Sequence, residues 1–144
     1  ELRPVLLDEF GLPAAISTLA KDFEKRYGIR CRVRMPADAG DLDRSLALAL
    51  YRIIQELLTN VARHAMATRV TIKLKKLKAG LMLNVQDNGK GIVQEALFGK
   101  KTLGLVGIRE RVHSFGGSLQ IRGRPNRGTV VKVSLPLDSK KEDK

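Results

Sequence analysis

The sequence predicts an α/β two-layer sandwich: a mixed, mostly antiparallel sheet of about five strands with about three helices on one face. Three observations predict it. The periodicities run in the order helix, strand, helix, strand, strand, loop, helix, strand, strand. The longest helical pattern carries a wide apolar stripe suited to burial against a sheet. Most strand-like runs are joined in pairs by short polar turns, the mark of antiparallel neighbours.

Each element has its local reason. Pro4 to Phe10 reads as a connector closed by Gly11 and Pro13. In 14–27, Ile16, Leu19, Ala20, Phe23 and Tyr27 recur at three- and four-residue steps, one face of a helix that Gly28 is placed to end. Ile29, Cys31, Val33 and Met35 alternate with Arg30, Arg32 and Arg34, a half-exposed strand. Pro36 to Gly40 is a loop, and Asp41 or Asp43 can cap the next helix. That helix is expected over 42–67, with Leu46, Leu50, Ile53, Ile54, Leu57, Leu58, Val61 and Ala65 as its stripe. Residues 70–77 and 81–86 form a hairpin turned at Lys78-Ala79-Gly80. The stretch 87–103 has no clear period. Residues 105–115 are helical and stopped by Gly116-Gly117. Strands over 118–122 and 129–135 close the pattern, leaving 138–144 as a charged tail.

With 144 residues the chain is the size of one domain and can bury a core without staples. The expected division is a connector over 1–12, the folded domain over 13–137 and the tail. Apolar residues are 43% and charged residues 29%, which excludes a disordered chain. No apolar run approaches the ~18 residues of a membrane span. Glu1, Arg3, Asp8 and Glu9 break up any signal-peptide core, so a soluble, cytoplasmic domain is expected. Cys31 alone permits no internal disulfide, and two histidines make no metal site. The net charge of +12 favours polyanionic partners. Aromatics at 4%, with no Trp, leave few stacking platforms for single-stranded nucleic acid.

Four segments can carry chemistry. On the long helix, Arg52, Glu56, Asn60 and Arg63 or His64 share the face opposite the stripe. They fit an ordinary solvated face. Glu56 and Asn60, one turn apart, also offer hard oxygen ligands to Mg²⁺, since Asn is a poor mid-helix residue without a task for its amide. Asp87-Asn88-Gly89-Lys90-Gly91 follows a strand and fits either a turn or a carboxylate beside bare backbone, able to accept from an exocyclic amine such as adenine's. Gly104-Leu105-Val106-Gly107 opens a helix, where free N–H groups bind phosphate; a flexible glycine cap is the alternative. Gly128-Thr129 begins the last strand, and its hydroxyl can join the Asp87 carboxylate or merely end a hairpin. Neither a Walker A nor a Gly-x-Gly-x-x-Gly fingerprint is present.

Taken in order, these segments resemble the asparagine box and the two glycine boxes of the GHKL ATP-binding superfamily. The chain is most similar to the catalytic domain of bacterial two-component sensor histidine kinases, in the subgroup that partners NarL-type response regulators. Arg52-Ile-Ile-Gln-Glu-Leu-Leu-Thr-Asn60-Val-Ala-Arg-His64-Ala carries the resemblance, with Val85-Gln-Asp-Asn-Gly-Lys-Gly-Ile92 and Gly104-Leu-Val-Gly-Ile-Arg-Glu-Arg-Val112. Leu2-Arg-Pro4 and Leu7-Asp-Glu-Phe-Gly-Leu12 also look like the segment leaving an upstream dimerisation and phosphoacceptor domain.

The resemblance implies a Bergerat fold holding Mg²⁺ and ATP between the long helix and a lid. Asn60 would hold the cation with help from Glu56. Arg63 and His64 would lie near the phosphates, and Asp87, supported by Thr129, would hold the adenine amine. Gly89 and Gly91 would let backbone approach the nucleotide. The lid would run from Ile92 to Leu103, with Lys90, Lys100 and Lys101 offsetting charge, and Gly104, Leu105, Val106 and Gly107 would admit the phosphates at its far end. Thr102 and Ile108 depart from the subgroup's usual Gly and Met. The implied activity is transfer of the γ-phosphoryl group to a histidine on a separate dimerisation domain, then to an aspartate of an acidic receiver domain. Neither His64 nor His113 has the acceptor context, so no autophosphorylation by the chain alone is expected. Dimerisation would come mainly from the upstream helices, so a monomeric fragment of a full-length homodimer is expected. Rival readings are an anti-sigma-type or degenerate nucleotide-binding module and, from the charge, a nucleic-acid-binding domain; no direct nucleic-acid contact is expected.

Overall fold

The computed structural model describes residues 4–91 and 105–137. Helices α1 (Val5–Phe10) and α2 (Leu12–Tyr27) lead to strand β1 (Arg30–Arg34); α3 (Arg44–Asn60) leads to β2 (Arg69–Lys76) and β3 (Gly80–Asp87). Then follow α4 (Leu105–Ser114), β4 (Ser118–Arg124) and β5 (Gly128–Pro136). The five strands form one sheet in the order β1-β2-β3-β5-β4. Only β1 and β2 run parallel, because α3 crosses between them; the other three pairings are antiparallel. The expected mixed, mostly antiparallel sandwich is what forms.

One face of the sheet is apolar and meets the helices. Val70, Ile72 and Leu74 of β2 alternate inward, as do Leu81, Leu83 and Val85 of β3 and Val131, Val133 and Leu135 of β5. The α3 stripe covers them, with Leu50 and Ile54 at 0% exposure. Asp43 caps α3 through its carboxylate, which accepts from the N–H groups of Ser45 (3.1 Å) and Leu46 (3.4 Å). Cys31 is a free thiol in this core, its pKa pushed up to about 11 by burial and the nearby Glu24.

Three elements differ from the sequence expectation. The supposed connector is helical from Val5, because Leu7 buries against the domain and Gly11, at φ 87°, closes the turn onto the Leu7 carbonyl (3.0 Å). The supposed loop after Met35 contains a 3₁₀ turn, Ala37–Asp41, around buried Ala39. The long helix does not run on to Ala67: after Asn60 it widens into a π turn, Val61–Ala65, and Met66 ends it in the left-handed region at φ 53°. π turns tend to sit at functional sites, and this one borders the cavity described next.

Candidate functional site

Between the π turn, the end of β3 and the start of α4 lies a cavity of about 500 Å³, within the usual range for small-molecule sites. Leu57 and Val61 of the long helix form one apolar wall; Val85, Val131 and Leu105 supply others. Polar groups are few and placed at the ends. Asp87 and Thr129 stand together at the ends of β3 and β5, both buried. Asn60 and His64 look in from the helix, and Lys90, Gly91 and Asn126 from the loops.

Asp87 is the best-held group in the site. Its Oδ1 accepts from the Gly89 N–H at 2.8 Å, and the Thr129 backbone N–H also donates to the carboxylate. Burial pushes its pKa up from the ordinary 3.8, and these two amides offset part of that rise. The carboxylate is therefore oriented but kept from water, an arrangement that rewards a ligand donor brought to it. Asn60 is half-buried, and its side-chain amide makes no hydrogen bond among the described residues.

The loop after β3 is braced rather than loose. Asn88 Oδ1 accepts from the N–H groups of Thr68 (2.9 Å) and Arg69 (3.0 Å), and its Nδ2 donates to Thr68 Oγ1 (2.8 Å). The Lys90 N–H donates to the Ala65 carbonyl (2.7 Å), and the Lys90 carbonyl accepts from the Asn126 N–H (2.8 Å). Residue 90 thus ties the π turn to the β4–β5 turn. Gly89 is required by this approach: a Cβ there would fall 2.0 Å from the Ala65 carbonyl oxygen. Gly91, at φ 85°, would likewise press on the Arg124 carbonyl.

Of the residues singled out from sequence as site candidates, Asn60, His64, Asp87, Lys90, Gly91, Leu105 and Thr129 converge on the cavity. Gly89 lies behind its wall, packed on the chain's own backbone. Glu56 sits one turn back from Asn60, and Arg63, Val106 and Gly107 are exposed beside the cavity without lining it. Ile92, Lys100, Lys101, Thr102 and Gly104 lie outside the described residues. Sequence reasoning missed Asn88 and Asn126. The Asn88 clamp has no signal in a single sequence; Asn126, at φ 62° in the Pro125-Asn126 turn, had turn chemistry as its only cue.

Residues 45–139, more than half of the chain, match the family "Histidine kinase-, DNA gyrase B-, and HSP90-like ATPase". The chain belongs to this ATPase family. Among relatives of the ATPase domain, DegS of Brevibacillus brevis, a signal transduction histidine-protein kinase/phosphatase, is 35% identical over 95% of this chain and 35% of its own length. NreB of Staphylococcus carnosus, an oxygen sensor histidine kinase, is 34% identical over 95% of this chain and 40% of its own length. The chain thus spans well under half of these relatives. In structure it resembles the blue-light activated histidine kinase of Erythrobacter litoralis, with a TM-score of 0.74 and 25% identity over 91% of this chain and 43% of that one. The catalytic domain of histidine kinase ThkA shares the fold, with a TM-score of 0.67 and 21% identity over 89% of this chain and 93% of that one. Among the described residues no helix is long and apolar enough to cross a membrane.

Proposed function

We propose that the chain is the catalytic domain of a cytoplasmic sensor histidine kinase, binding ATP with Mg²⁺ and passing the γ-phosphoryl group to a histidine on a separate dimerisation domain. A response-regulator aspartate would receive it next. The observation that carries this reading is the convergence of a buried, amide-held Asp87 and of Asn60, whose amide has no hydrogen-bond partner among the described residues, on one apolar-walled cavity.

In this reading Asp87 accepts from the adenine amine, and Val85, Val131 and Leu105 pack on the purine. Asn60 offers its amide oxygen to the cation, and Glu56 reaches it through water. Among the described residues no three His, Cys, Asp or Glu side chains gather as a metal cage, so most ligands would be phosphate and water, as Mg²⁺ prefers. The bound cation would neutralise phosphate charge during transfer. Arg63, His64 and Lys90 add positive charge nearby. The amides at the start of α4 face the phosphates. Gly107 supports that last role. Glycine inside a helix costs about 1 kcal/mol against alanine, yet nothing among the described residues occupies the space its Cβ would take.

Titration calorimetry of ATP with Mg²⁺ into the chain and into Asp87→Asn tests the reading. Saturable binding that falls at least about a hundredfold in the variant is expected, from loss of a buried charge-assisted hydrogen bond. Equal binding by both proteins would overturn the adenine assignment. In EDTA the wild type should bind more weakly, and Asn60→Ala should lose that dependence.

A further inference from the structure

The face of the sheet turned away from the helices is uncovered among the described residues, and it is strongly one-signed. Alternation sends Arg30, Arg32 and Arg34 of β1 to it, with Arg69, Lys73 and Lys75 of β2. From the other side come Lys132 of β5 and Arg122 and Arg124 of β4. No Asp or Glu occupies an outward strand position. Asp87 borders a hollow there but alternates to the covered face with Val85. None of these nine cations is ion-paired with a described residue.

The charges are arranged, not merely abundant. Register places Arg34, Lys73, Asn84, Lys132 and Gln120 side by side in one row across the sheet. The next row holds Arg32, Thr71, Gln86, Val130 and Arg122. Strand β3 therefore contributes neutral amides at the centre while long cationic side chains stand on both sides. Two hollows, of about 230 and 590 Å³, share Asn84 and Gln86 as lining. Together they make a trough along β3 with basic banks.

We propose that this trough docks an acidic polypeptide segment, an extended run with Asp or Glu at alternate positions. Outward residues on one strand recur every ~6.7 Å, the repeat of alternate side chains on an extended peptide. Arg forks take carboxylates bidentately, and the Asn84 and Gln86 amides can both donate to and accept from a peptide backbone. Single-stranded nucleic acid fits less well, because among the described residues no aromatic side chain stands at an outward strand position to offer a base a stacking surface. Duplex readout needs an element that enters a groove, and a strand lying flat does not. A lipid surface would touch the cationic tips and leave the amide floor unused. At about 19 Å across five strands, the patch suits a transient encounter. The proposal goes beyond the kinase reading and is independent of the nucleotide cavity on the opposite face.

Fluorescence anisotropy with a labelled twelve-residue peptide of alternating Glu and Ser tests it. Wild type, Lys73→Glu/Lys132→Glu and the milder Lys73→Gln/Lys132→Gln would be compared with single-stranded DNA, duplex DNA and phosphatidylserine vesicles at matched charge and salt. The expected result is peptide binding that weakens at least about tenfold on charge reversal and severalfold on neutralisation, with melting and nucleotide binding unchanged. Peptide binding indifferent to both double variants, no peptide binding at all, or tighter binding of DNA or vesicles than of peptide would overturn it.

Discussion

Asp87 combines a well-directed carboxylate with burial that disfavours its charge, and pH separates the two. Its folded pKa is raised above 3.8, so its contribution to stability is full below that value and is lost as pH rises through the raised one. Wild type should therefore lose stability relative to Asp87→Asn as pH rises above the ordinary 3.8, read from thermal melts; parallel curves would contradict this. A carboxylate kept at such a cost points to ligand binding. Gly107 makes the complementary case. Gly107→Ala meets open space, so it should raise stability by about 0.5–1 kcal/mol. If phosphates lie against this helix start, the same variant should weaken nucleotide binding, and calorimetry beside a melt measures both.

The π turn, the loop after β3 and the β4–β5 turn hold each other through backbone groups. Gly89→Ala would drive a methyl into the Ala65 carbonyl, so it should cost about 2–3 kcal/mol in urea denaturation, as overpacking does. Gly128 is under the same constraint: its Cβ would fall 1.9 Å from the Asp87 carbonyl oxygen, at φ 105°. Both glycines serve the chain's own closure on itself. The helix pattern was legible up to Asn60 because apolar spacing is local. Its widening was not, because the Ala65 carbonyl is claimed by Lys90, a residue far along the chain. The helical Val5–Phe10 segment escaped the same way: six residues hold a helix only when a residue such as Leu7 finds a surface to bury against.

For the molecule as a whole, the proposed division of labour predicts that this chain holds nucleotide but does not label itself. Incubated with γ-labelled ATP, it should carry no acid-labile phosphate on exposed His64 or His113, while a histidine on an added dimerisation domain should become labelled. Phosphohistidine on the chain alone would contradict that. The net charge of +12 is also no uniform haze, since strand alternation sets nine of its cations on one side of the sheet with no outward strand carboxylate among the described residues.

Order and type of the five strands and of helices α2, α3 and α4 were readable from residues, because helix and strand periodicity, glycine stops and the Asp43 cap are properties of neighbours in the chain. Asp87, Asn60 and Thr129 stood out as candidates for the same local reasons, at a strand end, in a helix middle and at a strand start. Their meeting around one cavity depends on the β3–β5 pairing and on α3 lying over the sheet, contacts between residues dozens of positions apart. The packing of Gly89 on the Ala65 carbonyl, the clamp made by Asn88 and the two-banked basic trough are likewise products of register and close approach. A linear sequence specifies these only through the packed whole, since each rests on which backbone comes to lie against which.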